Sequence, residues 1–272
     1  MLTYLRRLIY FLRWIGQEDQ IPLLDMTREQ FDAFKSSREV PREMIEEFFA
    51  WKAHTPIPET PLVSVCIGTY NRARLLVERC LPSILEQTYS NLELLVVGEA
   101  CTDETERLVT RIGDPRLKFT NLPNRGPYPD EPYRRWMVAG TVPFNHAMRQ
   151  ARGDFITHLD DDDRYPPDRL EKLVAFAQAH KCDFIWHPFW YEDGAGHWQL
   201  NPAKQFTMKQ VTTSSVFYRS WFKRIEWDID AHLLMEPGDW NRFRRIKYIN
   251  PIAKRYPEPL LWHYREMRQK VR

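Results

Sequence analysis

Four carboxylates stand side by side at Asp160–Asp163, in "GDFITHLDDDDRYPPDRL", right after an apolar run and just before a proline-started helix. Like charges at this spacing repel, so the run is costly unless something positive neutralises it. If the chain stays extended, Asp160 and Asp162 point to the same side. Hard oxygen donors aimed at one point suit Mg²⁺ or Mn²⁺, ions that complete their shell with water and substrate phosphates. An acidic run is otherwise a solvated loop. The location argues against that reading, because an apolar strand delivers the run and a helix begins directly behind it. The glycine and final glutamate of an EF-hand loop are missing. Two further polar stretches, "TYNR" at 69–72 and "GEACTDET" at 98–105, also follow apolar runs.

The elements that would position these residues alternate in type. "LVSVCIG", "LELLVVG", "RLKFTN", "DFITHL" and "CDFIWHPFW" read as strands. Between them lie helical patterns: "ARLLVERCLPSILEQ", kinked at Pro82; "DETERLVTRI", capped by Thr102 or Asp103; "VPFNHAMRQAR"; and "PDRLEKLVAFAQAH", started by Pro167 and Asp168. This alternation predicts an α/β domain with a mostly parallel central sheet and right-handed crossovers. Ligands of such sheets sit outside the carboxyl ends of the strands, so one crevice collects all three polar stretches. No Walker loop, GxGxxG or GxSxG motif is present in the sequence. Phosphates would therefore be met by metal and arginine, not by a glycine cradle.

The 272 residues are 43% hydrophobic, enough for a sizeable core. Ten Trp and an aromatic share of 14% suit stacking on sugar rings or bases. A net charge of +2 is too small to argue for a nucleic-acid partner. Cys66, Cys80, Cys101 and Cys182 lack zinc spacing, and the default is reduced thiols in a cytoplasmic protein. Residues 1–20 form a domain of their own in this reading. Leu2, Leu5, Leu8, Ile9, Phe11, Leu12 and Ile15 fall on one half of a helical wheel, opposite Arg6, Arg7 and Arg13. Such a helix suits an anionic membrane surface, which here is the inner face of the membrane, or the protein's own body. Residues 21–60 are a helical extension, chiefly "PREMIEEFFAWKAH", followed by an arm carrying Pro56, Pro58 and Pro61. The main domain is 61–272.

As a linked set, "PLVSVCIGTYNRARLLVERCLPSILEQTYSNLELLVVGEACTDET" and "ARGDFITHLDDDDRYPPDRLEKL" resemble a family-2 inverting glycosyltransferase. The resemblance implies a GT-A-type Rossmann-like domain, here with the helical N-terminal extension. It implies a sugar moved from a nucleotide-diphosphate sugar donor, UDP-sugar first, to a glycan or lipid-linked acceptor, as in cell-surface polysaccharide synthesis. By that match Thr69, Tyr70, Asn71 and Arg72 border the nucleobase. Glu99 takes the position of an aspartate that faces the base, and Asp103 that of a later aspartate. Asp160 lies toward the ribose and the metal, Asp162 is the direct metal ligand, and Asp161 and Asp163 support them.

"EPGDWNRFRRI" resembles the segment that carries the family's catalytic aspartate, which puts Asp239 in the role of base. Gly238 replaces a usual glutamate, whose part Glu236 could take. As a residue alone, Asp239 could equally cap a helix. His263 in "LLWHYRE" is the match for a C-terminal metal ligand, and His187, Trp190, Trp240 and residues 212–219 would shape the acceptor side. Gly98 and Gly238 depart from the family pattern. Two alternatives therefore stay open: a nucleotidyltransferase using the same metal-bound carboxylates, or a non-catalytic relative that only binds nucleotide sugars.

Overall fold

The polar stretches are delivered by strands whose side chains alternate between two cores. Along β1 (Val63–Thr69), Val63, Val65 and Ile67 enter one apolar cluster, while Cys66 enters the other. In β2 (Leu92–Glu99), Leu92, Leu94 and Val96 share the first cluster, and Leu95 and Val97 the second. A strand buried on both faces reads as a continuous apolar run, as both do here. The computed structural model describes residues 40–193 and 195–265.

Among these residues, seven strands form the central sheet in the order β3-β2-β1-β4-β8-β5-β9. β3 (Leu117–Leu122), β2, β1 and β4 (Phe155–His158) run parallel. β8 (Val216–Arg219) lies antiparallel between β4 and β5 (Phe184–Trp186), and β9 (Ala253–Arg255) is parallel to β5. This is the expected mixed but mostly parallel α/β sheet.

Helices cover both faces. On one, the helical segment 73–85 (α2) contributes Leu76, Leu81 and Ile84, and the later helix Arg169–His180 contributes Leu170, Leu173 and Ala177. The opposite face carries Phe144, Ala147 and Met148 from Thr141–Gln150, and Phe243 and Ile246 from Gly238–Tyr248. In chain order these helices follow α3 (Thr105–Thr110) and α4 (Pro132–Val138), and are α5 (Thr141–Gln150), α6 (Arg169–His180) and α7 (Gly238–Tyr248). Pro82 has no N–H and would clash with the carbonyl four residues back. The helix accommodates it through a π turn at Leu76–Cys80, where the Leu81 N–H reaches the Leu76 carbonyl.

The N-terminal helix α1 (Arg42–His54) starts directly behind Pro41, as its sequence predicts. It is built into the main core. Phe48 is fully buried, with its ring 5.2 Å from Trp221 and 5.0 Å from Phe222, and Lys52 pairs with the buried Asp183. The proline arm is pinned as well: Gln178 donates to the Pro58 and Glu59 carbonyls, and the Tyr89 hydroxyl to that of Pro61. The amphipathic segment 1–20 and the part of 21–60 before Val40 lie outside the described residues.

Two features differ from the sequence expectation. "CDFIWHPFW" is not one strand. β5 ends at Trp186, and β6 (Phe189–Glu192) belongs to a second sheet of order β10-β6-β7, with β7 (Trp198–Asn201) and β10 (Trp262–His263). The chain changes sheets at Pro188, which cannot donate to a ladder, while the His187 N–H turns to the Ser215 carbonyl. The second feature is α4, a short helix that no apolar period announced. Among the described residues no helix is long and apolar enough to cross a membrane.

Candidate active site

Register places the stretch at 69–72 against the acidic turn. Cys66 of β1 is level with His158 of β4, so three residues further on Thr69 meets Asp161. The Thr69 hydroxyl donates to the Asp161 carboxylate at 2.6 Å. Arg72 donates to Asp161 at 3.1 Å and also to the Asp162 carboxylate. The Asp160 N–H donates to the Ser214 hydroxyl at 3.0 Å, and Arg79 holds the Asp162 carbonyl at 2.8 Å. Asp163 accepts the Tyr264 N–H at 2.9 Å and pairs with His263 Nδ1 at 2.8 Å. β10 of the small sheet therefore closes over the turn, and the Arg79 guanidinium lies 3.8 Å from the centre of the Tyr264 ring.

Among the described residues Arg72 and His263 pair with these carboxylates, and Arg79 holds the backbone of the turn. Burial pushes the Asp160 carboxyl well above the ordinary carboxylate range, and Asp163 and Asp162 push it further. Burial raises Asp161 to about 6 even though Arg72 opposes it. Burial and Asp163 raise Asp162. On His263 burial works against the charged form, but Asp163, Asp160 and Asp162 outweigh it and lift the imidazole to about 10. A site that favours protons on its acids and a positive charge on its base is short of cation.

Among the described residues Asp160, Asp163 and His263 each bring a ligand atom within 4.8 Å of the others. Two carboxylates and an imidazole are a suitable donor set for Mn²⁺ or Mg²⁺. Asp162, expected as the direct ligand, has its carboxylate on Arg72 and falls outside this group. Asp163, expected only in support, falls inside it.

Around "GEACTDET" the structure gathers the expected residues but occupies their carboxylates. Glu99 is buried, and it accepts the Gly126 N–H at 3.0 Å and the Tyr128 hydroxyl at 2.6 Å, with Arg125 at 3.9 Å. Asp103 accepts the Ala73 N–H and the Thr105 N–H, each at 3.1 Å, and so ties α2 to α3. The Asn71 side-chain oxygen Oδ1 accepts the Thr102 N–H at 2.8 Å. Tyr70 is left 40% exposed, with the Arg125 guanidinium 3.8 Å from its ring centre. Gly98 has a steric reason: a Cβ there would stand 2.8 Å from the Asn121 side-chain oxygen. That side chain clamps both the N–H and the carbonyl of Cys101 at 2.9 Å.

Asp239 opens α7. Pro237, not Asp239, stands at the cap position, and the Asp239 carboxylate accepts the neighbouring Trp240 N–H at 2.6 Å. Burial pushes this carboxyl up to about 6, against the pull of backbone N–H groups and of His263. Glu236 does not fill the place left by Gly238. It is buried in a forked pair with Arg244, at 2.9 and 2.8 Å, and accepts from Asn241 at 3.0 Å. His187 is also corrected. It is fully buried, accepts from Arg169 at 3.2 Å and sets Nδ1 against the Pro188 carbonyl, so it belongs to the core, not to an acceptor wall. Trp240 is buried beside Phe206, and Trp190 lies in β6. Within 212–219, Ser214 holds the acidic turn while Val216–Arg219 is a buried strand. Arg79, Asn121, Arg125 and Tyr128 join the site from contacts that residue type and spacing alone do not reveal.

Residues 64–129 and 141–245 match the family model described as glycosyl transferase family 2. The chain is 32% identical over 211 residues to hyaluronan synthase of Pasteurella multocida, covering 71% of this chain and 20% of that protein. It is 24% identical over 197 residues to glycosyltransferase GlyG of Streptococcus pneumoniae, covering 71% and 56%. It spans between 15% and 66% of the length of the curated relatives it matches. Among solved structures, S. aureus TarS 1-349 in complex with UDP superposes with a TM-score of 0.58 at 20% identity, over 75% of this chain and 60% of that one. Mannosyltransferase PcManGT from Pyrobaculum calidifontis, in complex with GDP-Man and Mn2+, gives 0.54 at 16% identity, over 89% and 69%. At these identities the structural likeness is one of fold. With that fold, and with the family model matched over more than half its length, the chain belongs to glycosyltransferase family 2 and has the GT-A architecture.

Proposed function

We propose that the protein transfers a sugar, with inversion, from a nucleotide-diphosphate sugar to a hydroxyl of a glycan or lipid-linked acceptor in cell-surface polysaccharide synthesis. The observation that carries this reading is the acidic turn. It lies at the carboxyl ends of parallel strands and holds more negative charge than Arg72 and His263 neutralise, beside an aspartate of raised basicity. UDP-sugars come first as donors because TarS structures hold UDP and UDP-GlcNAc. A polysaccharide product is supported by the relative named hyaluronan synthase.

Asp160, Asp163 and His263, the last after its imidazole gives up its proton, would hold the divalent ion, with Asp162 beside them on Arg72. When bound, Mn²⁺ or Mg²⁺ neutralises the leaving diphosphate as a Lewis acid. Arg72 is partly exposed and pairs with carboxylates only through its terminal nitrogen. Its planar fork has further N–H groups to offer a phosphate oxygen. Tyr70, stiffened by Arg125, offers a ring face to the base. Asp239 removes the proton of the acceptor hydroxyl while that oxygen attacks the anomeric carbon from the face opposite the diphosphate. A base that titrates near 6 is still ionised at neutral pH and takes a proton more readily than an ordinary carboxylate. The segment 1–20 would bring the enzyme to an anionic inner membrane face; its deletion should release the protein from anionic vesicles.

The reaction is tested by incubating the protein and Mn²⁺ with UDP-, GDP- and dTDP-sugars. Free nucleoside diphosphate is the expected product. Sugar 1-phosphate would mean nucleotidyl transfer, and binding without turnover would mean a non-catalytic relative.

A further inference from the structure

α4 carries two aromatic side chains outward, and nothing in the reaction described above uses them. Tyr133 and Trp136 are 52% and 54% exposed, with ring centroids 5.8 Å apart and planes within 19°. Large exposed aromatics placed together are characteristic of binding surfaces.

The helix that presents them is held in place. Pro132 starts it, and the Glu131 carboxylate accepts the Tyr133 and Arg134 N–H groups at 2.9 and 2.7 Å. Arg135 ties back to the Pro129 and Asp130 carbonyls at 3.0 and 2.9 Å. On the inward side, Met137 and Val138 are buried against Ala231. The aromatic pair thus stands on a fixed mount, which lowers the entropy cost of binding.

Its position matters more. A Cβ at Gly238 would stand 3.3 Å from the Met137 carbonyl oxygen, so the end of α4 lies close to the start of α7, which carries Asp239. The loop that leads into α4 begins on the donor side, where Arg125 lies over Tyr70 and Tyr128 holds Glu99. One segment therefore runs from the nucleotide end of the crevice to the edge of the candidate base.

We infer that Tyr133 and Trp136 form an acceptor subsite, a stacking platform for a pyranose ring of a carbohydrate chain beyond the sugar that accepts the transfer. The occupant is carbohydrate because such a ring offers an apolar C–H face to an aromatic plane, and because the helix that carries the platform ends beside the start of α7, where the aspartate that would meet the acceptor hydroxyl stands. The inference rests on the glycosyl-transfer reading for the order of donor and acceptor. The same closeness bears on Gly238, where a side chain would crowd the Met137 carbonyl.

Binding of cellohexaose, chitohexaose and a hyaluronan hexasaccharide to the full chain, with Mn²⁺ and UDP, tests it. At least one hexasaccharide should bind, about tenfold more weakly to Trp136→Ala and nearer the wild-type value to Trp136→Phe. UDP affinity and melting temperature should stay unchanged in both, since Trp136 supports no core contact. The inference is overturned if wild type binds none of the three, or binds one equally well after Trp136→Ala. Wild type that binds a hexasaccharide through Trp136 but releases no nucleoside diphosphate from any sugar donor would instead overturn the transferase reading and keep the platform.

Discussion

Two sets of buried acids in this molecule have opposite surroundings. Glu93 accepts from the Arg152 N–H at 2.6 Å, the Ser64 hydroxyl at 2.7 Å and Arg152 Nε at 3.0 Å. Burial works against its charge, yet these donors hold its carboxyl below the ordinary range. Asp183 pairs with Lys52 and accepts the Ile252 N–H at 2.7 Å, and Glu236 takes the Arg244 fork. Each of these acids has a cation of its own, Arg152, Lys52 and Arg244, although Asp183 Oδ1 is left without a hydrogen-bond partner among the described residues. Among the described residues Asp160–Asp163 crowd four carboxylates against Arg72 and His263, with Arg79 on the backbone of the turn, and three of the acids are pushed upward. Paired acids fasten strands and helices together. The crowded acids weaken the metal-free fold, and a protein retains such a cluster where a ligand completes it.

The largest expected effect comes from Asp239→Asn, which keeps size and removes the base. Turnover should fall by about 10²–10⁴ while nucleotide binding stays; a turnover within a factor of two of wild type would remove Asp239 from the mechanism. Lys52→Met strips a paired acid of its partner. Unfolding in urea should show a loss of about 2–3 kcal/mol, less than for a fully buried pair because Lys52 is partly exposed. Activity per folded molecule should be unchanged.

In contrast, Asp160→Asn should stabilise the metal-free protein, by about 1 kcal/mol, and abolish the rise in melting temperature that Mn²⁺ gives wild type. If it destabilised like Lys52→Met, the two sets of acids would not differ in kind.

The pH dependence is the finest test, and its signs are opposite in the two sets. Asp161 titrates near 6 in the fold, above the value of about 3.9 for an unfolded chain. Between these values the folded state binds more protons, so this turn costs the metal-free protein stability as pH rises through about 6. Glu93 is lowered, so its contribution is present above about 4.3 and is lost as pH falls through its folded value. Melting curves of Asp161→Asn and Glu93→Gln should lose opposite limbs of the stability profile. The activity limb of Asp239 should appear near pH 6, with turnover falling below it.

Most of the sheet was legible in the sequence because its strands are buried on both faces and stand out as apolar runs such as "LVSVCIG" and "LELLVVG". The three polar stretches follow from the same pattern, since strand ends determine where they go. What the sequence hid was partnership across the fold. Glu99 and Asp103 look like free ligands until Tyr128 and Ala73 are brought to them. His187 reads as a site residue until Arg169 meets it in the core. α4 is seven residues long, too short for a helical period to register. The ranking of Asp162 over Asp163 came from position in a motif, whereas His263, a hundred residues on, decides which acids converge.

The central claim is that the acidic turn is completed by a divalent ion and a nucleotide diphosphate. Calorimetric titration of UDP-GlcNAc and GDP-mannose into the full chain, with Mn²⁺ and then with EDTA, tests it most directly. Binding of one donor with Mn²⁺, lost in EDTA and lost in Asp160→Asn with Mn²⁺ present, is the predicted result. Binding that is equally tight in EDTA, or no binding of either donor with Mn²⁺, would contradict it.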